Sequence, residues 1–391
     1  MKKISFFLLG VLLLCGCRQA DPAQKANQTL ESLRQQLNAV GFSVAVVKDN
    51  QIIYTQAFGY KSLEDSVPLA PDNLMRIASI SKSFTATALM QQYEQGKFSL
   101  DDDVSEALGF LLRNPYFPEV PITYRMLLTH TSSLLDTAGY FSLDVVNPQK
   151  TADVRGSFHQ YRPGSAYDYC NLGFNTIGAL VEIHSGERFD SYVKAHILEP
   201  LGLYASFNVN DLDAARFATL YEYEDGAFVA QEEAYAPRKE QIAQYVPGYS
   251  TPVFSPTGGM KICAADLAKH MLIQMNGGSW NGVTLLAPQS VEAMQTPSHI
   301  QPYDNPEAQQ LYGFALEQTD KLVQGEHLTG HTGSAYGLAS AFFFSPQKHF
   351  GLVMMCNGYD ATRPVLDNGF EAIRSDVINA LYRIFIAPGV Q

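Results

Sequence analysis

Runs rich in β-branched and aromatic residues stand near both ends of this chain, with helical patterns between them, and that arrangement restricts the fold more than any other feature. Near the N-terminus, residues 42–47 and 51–60 are two such runs joined by Lys48-Asp49-Asn50, whose turn-forming residues predict a hairpin and with it an antiparallel sheet. Towards the C-terminus, residues 312–318, 338–344 and 350–356 are three more, and the last two flank Ser345-Pro346-Gln347-Lys348-His349, so they should pair. Between these groups Ile80, Phe84, Ala88 and Leu89 recur at helical spacing and end at Gly96. Helical patterns over 100–210 are broken by Pro115, Pro118, Pro121, Pro163 and Pro200, and further helices are expected over 264–276 and 367–384. The stretch 231–256 reads as loop-rich and placed to border a site. The predicted class is α+β: an antiparallel β-sheet flanked by helices, built from residues 38–75 and 255–391, with a mostly helical domain of residues 76–254 inserted. A length of 391 residues, beyond the roughly 250–300 at which one core stops growing, agrees with an insertion of that size. The cleft between two such parts is the default place for a site.

With 46% hydrophobic and 17% charged residues the chain can bury a large core, which excludes a disordered or collagen-like polymer. Its 27 basic against 39 acidic residues, without a Lys/Arg run, argue against nucleic acid as a partner. Met1, Lys2 and Lys3 precede an apolar run of 14 residues, 4–17, shorter than the roughly 20 a spanning helix needs. A basic start before such a run reads as a secretory signal. The run ends Leu14-Cys15-Gly16-Cys17, which resembles a bacterial lipobox. That predicts loss of residues 1–16 as the signal peptide of a lipoprotein, lipidation of Cys17, and residues 17–37 as a spacer and the start of an N-terminal helix, where Leu30, Leu33 and Leu37 share a helical spacing. The expected place is the bacterial cell envelope, on the periplasmic or outer-membrane side, with the lipid as the sole membrane contact. A plain signal peptide cut a few residues later is the alternative. The remaining Cys170, Cys263 and Cys356, odd in number and without CxxC spacing, are expected as buried free thiols.

Three short motifs carry chemistry. In Arg76-Ile77-Ala78-Ser79-Ile80-Ser81-Lys82 a hydroxyl and an amine stand three residues apart at a helix start, so Lys82 can reach Ser79 on one face. The lysine works as a base near neutrality only if burial or neighbouring cations bring its pKa well below about 10.4. Ser191/Lys194 and Ser345/Lys348 match the same spacing without the helix-start setting, and an isolated SxxK is more often a helix cap followed by a solvated lysine. In Tyr169-Cys170-Asn171 a phenol that can relay a proton stands beside an amide that can donate and accept. The competing reading is a buried tyrosine and a turn asparagine. In Gly330-His331-Thr332-Gly333-Ser334 the glycines permit close approach of a substrate backbone, while His331 and Thr332 can hold a carboxylate or carbonyl; a plain turn is the alternative. His327 and His331 lack the glutamate of an HExxH zinc site. GxSxG, GxGxxG and GxxxxGK are all missing, which sets aside an α/β-hydrolase, a dinucleotide enzyme and a P-loop ATPase.

SxxK, then YxN, then a basic residue followed by Thr-Gly, in this order and at these separations, resembles the penicillin-recognising serine hydrolases, above all the class C β-lactamase-like and penicillin-binding-protein-like branch. The likeness extends to Ile122-Thr123-Tyr124-Arg125-Met126-Leu127-Leu128-Thr129-His130-Thr131-Ser132-Ser133-Leu134, to Glu199-Pro200-Leu201-Gly202-Leu203 and to Ser255-Pro256-Thr257-Gly258-Gly259, and covers residues 38–385. The resemblance implies Ser79 as the acylated nucleophile, Lys82 and Tyr169 as the proton-transfer groups in an order that spacing leaves open, and Asn171 as a ligand of the substrate amide. It implies an oxyanion hole of the backbone N–H groups of Ser79 and Ser334, substrate contacts from His331, Thr332 and Gly333, and neither metal nor organic cofactor. The implied activity is that of a serine hydrolase cleaving an amide or ester, D,D-peptidase-like or esterase-like, on a small-molecule or peptide substrate such as one derived from the cell wall. A class C-like β-lactamase and a non-catalytic binding or sensor protein of the same fold are the rivals; the latter would be expected to have lost Ser79 or Lys82. One departure is His331, where many relatives carry lysine. A histidine near its ordinary pKa of about 6.5 would hold a substrate carboxylate weakly and in a pH-dependent way. The other is Cys170 in place of the frequent serine of YxN, read as packing.

Overall fold

The computed structural model describes residues 21–308 and 310–387; the signal peptide and the Cys17 anchor expected from the sequence lie outside the described residues. The chain opens with helix α1 (Pro22–Gln36), started by the Asp21 carboxylate accepting from the Ala23 N–H and by proline in the first turn. Strands β1 (Gly41–Lys48) and β2 (Gln51–Ser62) form the expected hairpin, and short strands β3 (Val67–Pro68) and β4 (Met75–Arg76) follow. Helix α2 (Ser81–Glu94) and, after long turn-rich segments, helix α3 (Asn171–Ser185) lie in the middle of the chain. Strand β5 (Lys261–Ile262), helix α4 (Ala264–Met275), strands β6 (Glu317–Thr319), β7 (Leu328–Ala335), β8 (Leu338–Ser345) and β9 (Phe350–Cys356), and helix α5 (Ala372–Leu381) complete the frame. The main sheet has seven strands in the order β6-β7-β8-β9-β1-β2-β3, so strands from the two ends of the chain meet where β1 pairs antiparallel with β9, Val44 opposite Met354.

Side chains alternate between the faces of this sheet with the period of two that a pleated strand imposes. In β8, Phe342 and Phe344 enter one core while Ala341 and Phe343 enter the other. In β1, Ala45 and Val47 face the first, and Phe42, Val44 and Val46 the second. Leu30 of α1 and Val377, Ile378 and Leu381 of α5 close the second core. On the opposite face Leu267, Met271 and Leu272 of α4 seal the sheet, so closely that a Cβ at Gly351 would stand 2.1 Å from the Met271 sulfur. Beyond α4 lies α2, whose residues from Ser81 to Met90 are all buried. A helix enclosed on every side must satisfy its own polar groups: Ser83 donates to Ile80 O at 2.8 Å, Thr85 to Pro256 O at 2.7 Å and Thr87 to Ser83 O at 2.8 Å. Lys82 therefore stands in dry surroundings from the outset.

Two departures from expectation concern the sheet edge. The run 312–318 contributes only its end to a strand, since Tyr312, 1% exposed, is a core anchor before β6 begins. The Gly330–Ser334 segment, read as a glycine turn or a close approach, lies within strand β7. Its glycines serve layer-to-layer contact: a Cβ at Gly330 would stand 1.9 Å from Phe342 O, and one at Gly333 2.3 Å from Ile77 O. Strand β7 is thus pressed against the turn that carries Ser79. Cys170, Cys263 and Cys356 are free and buried, as expected.

Candidate active site

Ser79 is presented by a short strand and a strained turn. β4 pairs with β5, Arg76 opposite Lys261, and fixes the approach. Ala78 then takes a left-handed conformation at φ 48°, which costs a non-glycine residue roughly 1–2 kcal/mol, before the 3₁₀ turn Ala78–Ile80 enters α2. Ser79 stays partly exposed, whereas Lys82, one turn on, has no exposed surface. The Lys82 Nζ donates to Ser79 Oγ at 3.2 Å, to Asn171 Oδ1 at 2.9 Å and to Thr257 O at 3.0 Å. Burial brings its pKa down to about 7, against a smaller upward pull from Asp136 and Cys170. This amine can therefore act as a base near neutrality, which SxxK spacing alone does not establish.

Tyr169 covers the amine, with Nζ 4.7 Å from its ring centroid. Burial raises the phenol pKa far above 10, against a smaller downward pull from the nearby Ser79 hydroxyl, so the group is neutral and suited to giving or relaying a proton. Its oxygen is enclosed and, although Ser79 is close enough to influence it, it makes no hydrogen bond of good geometry.

Asn171 is more occupied by the protein than the sequence suggests. Its Oδ1 accepts from Lys82 and from Thr257 Oγ1 at 2.7 Å, filling both lone pairs, and its Nδ2 donates to Asp136 Oδ2 at 2.8 Å. One Nδ2 hydrogen is left for a substrate carbonyl. Asp136, which sequence reading passed over, also accepts from the backbone N–H groups of Asn171 and Leu172, both at 2.9 Å, and from the Cys170 thiol at 3.2 Å. It supplies the cap that Cys170, at the helix N-cap, does not. Nothing in the local spacing around Asp136 signals this, because its partners lie more than thirty residues ahead.

His331 departs from expectation. The backbone N–H of Cys170 donates to His130 Nδ1 at 3.1 Å, which leaves His130 Nε2 to carry the hydrogen towards Tyr312 at 3.3 Å. The Tyr312 hydroxyl then donates to His331 Nε2 at 3.0 Å, and His331 Nδ1 donates to Thr332 O. The two backbone ends fix both tautomers. Burial first, and Lys82 second, hold His331 neutral, with its pKa lowered to about 3. The expected titration near 6.5 is overturned: His331 brings no charge to a carboxylate at working pH, and its ring nitrogens are both used inside the protein. Thr332 is partly exposed, Gly333 is buried and Ser334 is exposed. The buried Arg374 of α5, which the sequence did not single out, clamps this end of β7 by donating to Gly333 O at 2.6 Å, to Ser340 O at 3.0 Å and to the Ser334 hydroxyl. Ser79, Lys82, Tyr169 and Asn171 thus meet in one place, against a strand edge formed by Thr332, Gly333 and Ser334.

A family model described as Beta-lactamase matches residues 26–373. Protein flp of Staphylococcus aureus (strain MRSA252) is 22% identical over 371 residues, which is 92% of this chain and 67% of that protein. Penicillin-binding protein 4* of Bacillus subtilis (strain 168) is 28% identical over 191 residues, 46% of this chain and 40% of that protein. Among solved structures, the octameric penicillin-binding protein homologue from Pyrococcus abyssi superposes with a TM-score of 0.71 at 26% identity, covering 92% of this chain and 76% of that one. The D-amino acid amidase from Ochrobactrum anthropi SV3 superposes with a TM-score of 0.69 at 20% identity, over 93% and 97% respectively, which shows a shared fold.

Proposed function

The chain belongs to the Beta-lactamase family, and on that premise we propose that it is a serine hydrolase that forms an acyl-enzyme on Ser79 and cleaves an amide or ester in the manner of a D,D-peptidase or esterase. One observation carries this reading: an amine whose pKa burial brings to about 7 lies 3.2 Å from a partly exposed serine hydroxyl. As Ser79 Oγ attacks the substrate carbonyl carbon, neutral Lys82 takes its proton. The oxygen that becomes negative meets the backbone N–H groups of Ser79 and Ser334. When the tetrahedral adduct collapses, the departing nitrogen or oxygen takes a proton from the Tyr169 phenol, which is refilled from the Lys82 ammonium. Water then attacks the acyl-Ser79 ester, its proton passes to the same pair, and Ser79 is regenerated. The high phenol pKa favours Lys82 over Tyr169 as the base that starts the cycle.

The test is intact-protein mass of the soluble 18–391 chain mixed with penicillin, beside Ser79→Ala. A lasting adduct on the parent alone is the expected result. A transient adduct with consumption of the antibiotic would instead identify a β-lactamase. An adduct that survives in Ser79→Ala would overturn the assignment of the nucleophile.

We propose further that the protein is exported and held in the cell envelope by lipid on Cys17, as the run Leu14-Cys15-Gly16-Cys17 suggests. Exchange of Cys17 for Ser should move it from the membrane to the soluble fraction, and unchanged membrane association would defeat the lipid anchor.

A further inference from the structure

Arg76 and Lys261 face each other directly across the β4–β5 pair, so two basic side chains share one side of a ribbon, an arrangement that costs stability whenever both are charged. They are only 7% and 5% exposed. Arg76 donates from Nε to Gly258 O at 2.8 Å and from Nη2 to Ser255 Oγ at 3.2 Å; Lys261 donates from Nζ to Phe207 O at 2.7 Å. Among the described residues no carboxylate comes within 4.0 Å of either cation. Burial pushes the pKa of both groups down, and that of Lys261, with Arg76 and Arg238 nearby adding to the effect, falls well below the ordinary lysine value; an anion beside them would favour the charged form again.

Both open into a cavity of about 790 Å³, with Arg238 on another wall and Phe141, Phe207 and Phe254 among its apolar lining. The neighbouring acids are largely committed. Asp144 accepts from the Tyr249 hydroxyl at 2.5 Å, Asp190 pairs with Arg188 and accepts from Asn208 at 3.0 Å, and Asp211 accepts from Ser206 at 3.2 Å. Glu233, also on the wall, is exposed to solvent. Ser79, Lys82, Tyr169 and Asn171 do not line the cavity, but the chain ties it to them: Arg76 lies three residues before Ser79, and Tyr336, two residues after Ser334, lies over the guanidinium at 5.1 Å from its ring centroid. With His331 neutral and Arg374 committed to Gly333 and Ser334, the basic groups left facing this cavity are Arg76, Arg238 and Lys261.

We propose that this cavity binds a carboxylate on the part of the substrate remote from the scissile bond, so that the enzyme selects amides or esters with an acidic tail. The proposal rests on the acyl-Ser79 reading for its substrate, but not for the binding. A planar guanidinium opposite a lysine amine that gains its proton when an anion arrives matches a carboxylate, and the aromatic walls match the carbon chain that would carry it.

Two measurements test it. Glutarate is titrated by calorimetry into the Ser79→Ala chain, with one-to-one binding expected, weakened about tenfold or more in Lys261→Met and in Arg238→Gln, and weakened by salt. The p-nitrophenyl esters of butyrate and of glutarate are then compared on the parent, with kcat/KM expected to favour the acidic ester by about tenfold or more and the ratio to fall in both variants. Absence of glutarate binding would overturn the proposal whatever the esters do. Binding without preference for the acidic ester would overturn the substrate assignment in favour of a separate effector, and inorganic phosphate binding as tightly as glutarate would overturn the choice of carboxylate. Failure to consume either ester would count against the acyl-Ser79 reading, while the titration still decides the cavity.

Discussion

Exchange of Lys82 for Met is expected to lower the rate of acylation by roughly 10²–10⁴-fold, the usual worth of a positioned base. Methionine keeps most of the volume, so the packing around α2 should survive and the loss can be read as chemistry. The same residue sets the pH profile. A base with its pKa near 7 is protonated and idle below that value, so kcat/KM of the parent should rise between pH 5.5 and 8 with its midpoint near 7. Glu317, whose carboxyl burial raises to about 7, is the competing source of such a limb. Asp136 separates the two, because its charge pulls the Lys82 pKa upward. In Asp136→Asn the limb should move to lower pH, and in Glu317→Gln it should stay. A limb that moves in Glu317→Gln and not in Asp136→Asn would remove Lys82 from the role of base.

Truncation of Asp136 to Ala should be the most destabilising change near the site. It leaves the Asn171 and Leu172 N–H groups and the Asn171 amide without their shared acceptor, at the start of the fifteen-residue helix α3. Hydrogen bonds to an ionised acceptor contribute about 1.5–3 kcal/mol each, and the three are not additive, so a loss of roughly 3 kcal/mol or more is expected. Thermal unfolding should report it as a fall in Tm of about 5 °C or more. Asp136→Asn, which keeps the shape, should lose less. If both variants melt with the parent, Asp136 is not the cap that holds α3.

The parts of this fold that could be read in advance are those where local composition and bounding turns decide the state. The 41–62 hairpin and the β8–β9 pair are runs of β-branched, aromatic and apolar residues bounded by turn residues, and α2 and α4 are longer apolar-rich stretches, and the structure follows. Strand β7 was legible only as glycines beside His331, because Gly330 answers to the backbone of the neighbouring strand at Phe342 and Gly333 to that of Ile77, far away in sequence. In the candidate site, Ser79, Lys82, Tyr169 and Asn171 could be chosen by spacing and resemblance. Asp136 and Arg374 could not, since each acts on backbone that only the folded chain brings near. The state of His331 was also hidden: its charge depends on Tyr312, on burial and on Lys82, none of which its own motif records.

The junction of β1 with β9 also orders the protein in time. Synthesis begins at the N-terminus, so the β1–β2 hairpin is made early and must wait with an open edge until the strand ending at Cys356 has been delivered. Arg374, which clamps the Ser334 end of β7, comes later still. A chain interrupted between α2 and β7 carries Ser79 and Lys82 but not the strand edge they face. Ser79 and Lys82 thus meet Thr332, Gly333 and Ser334 only after β7 has followed them off the ribosome.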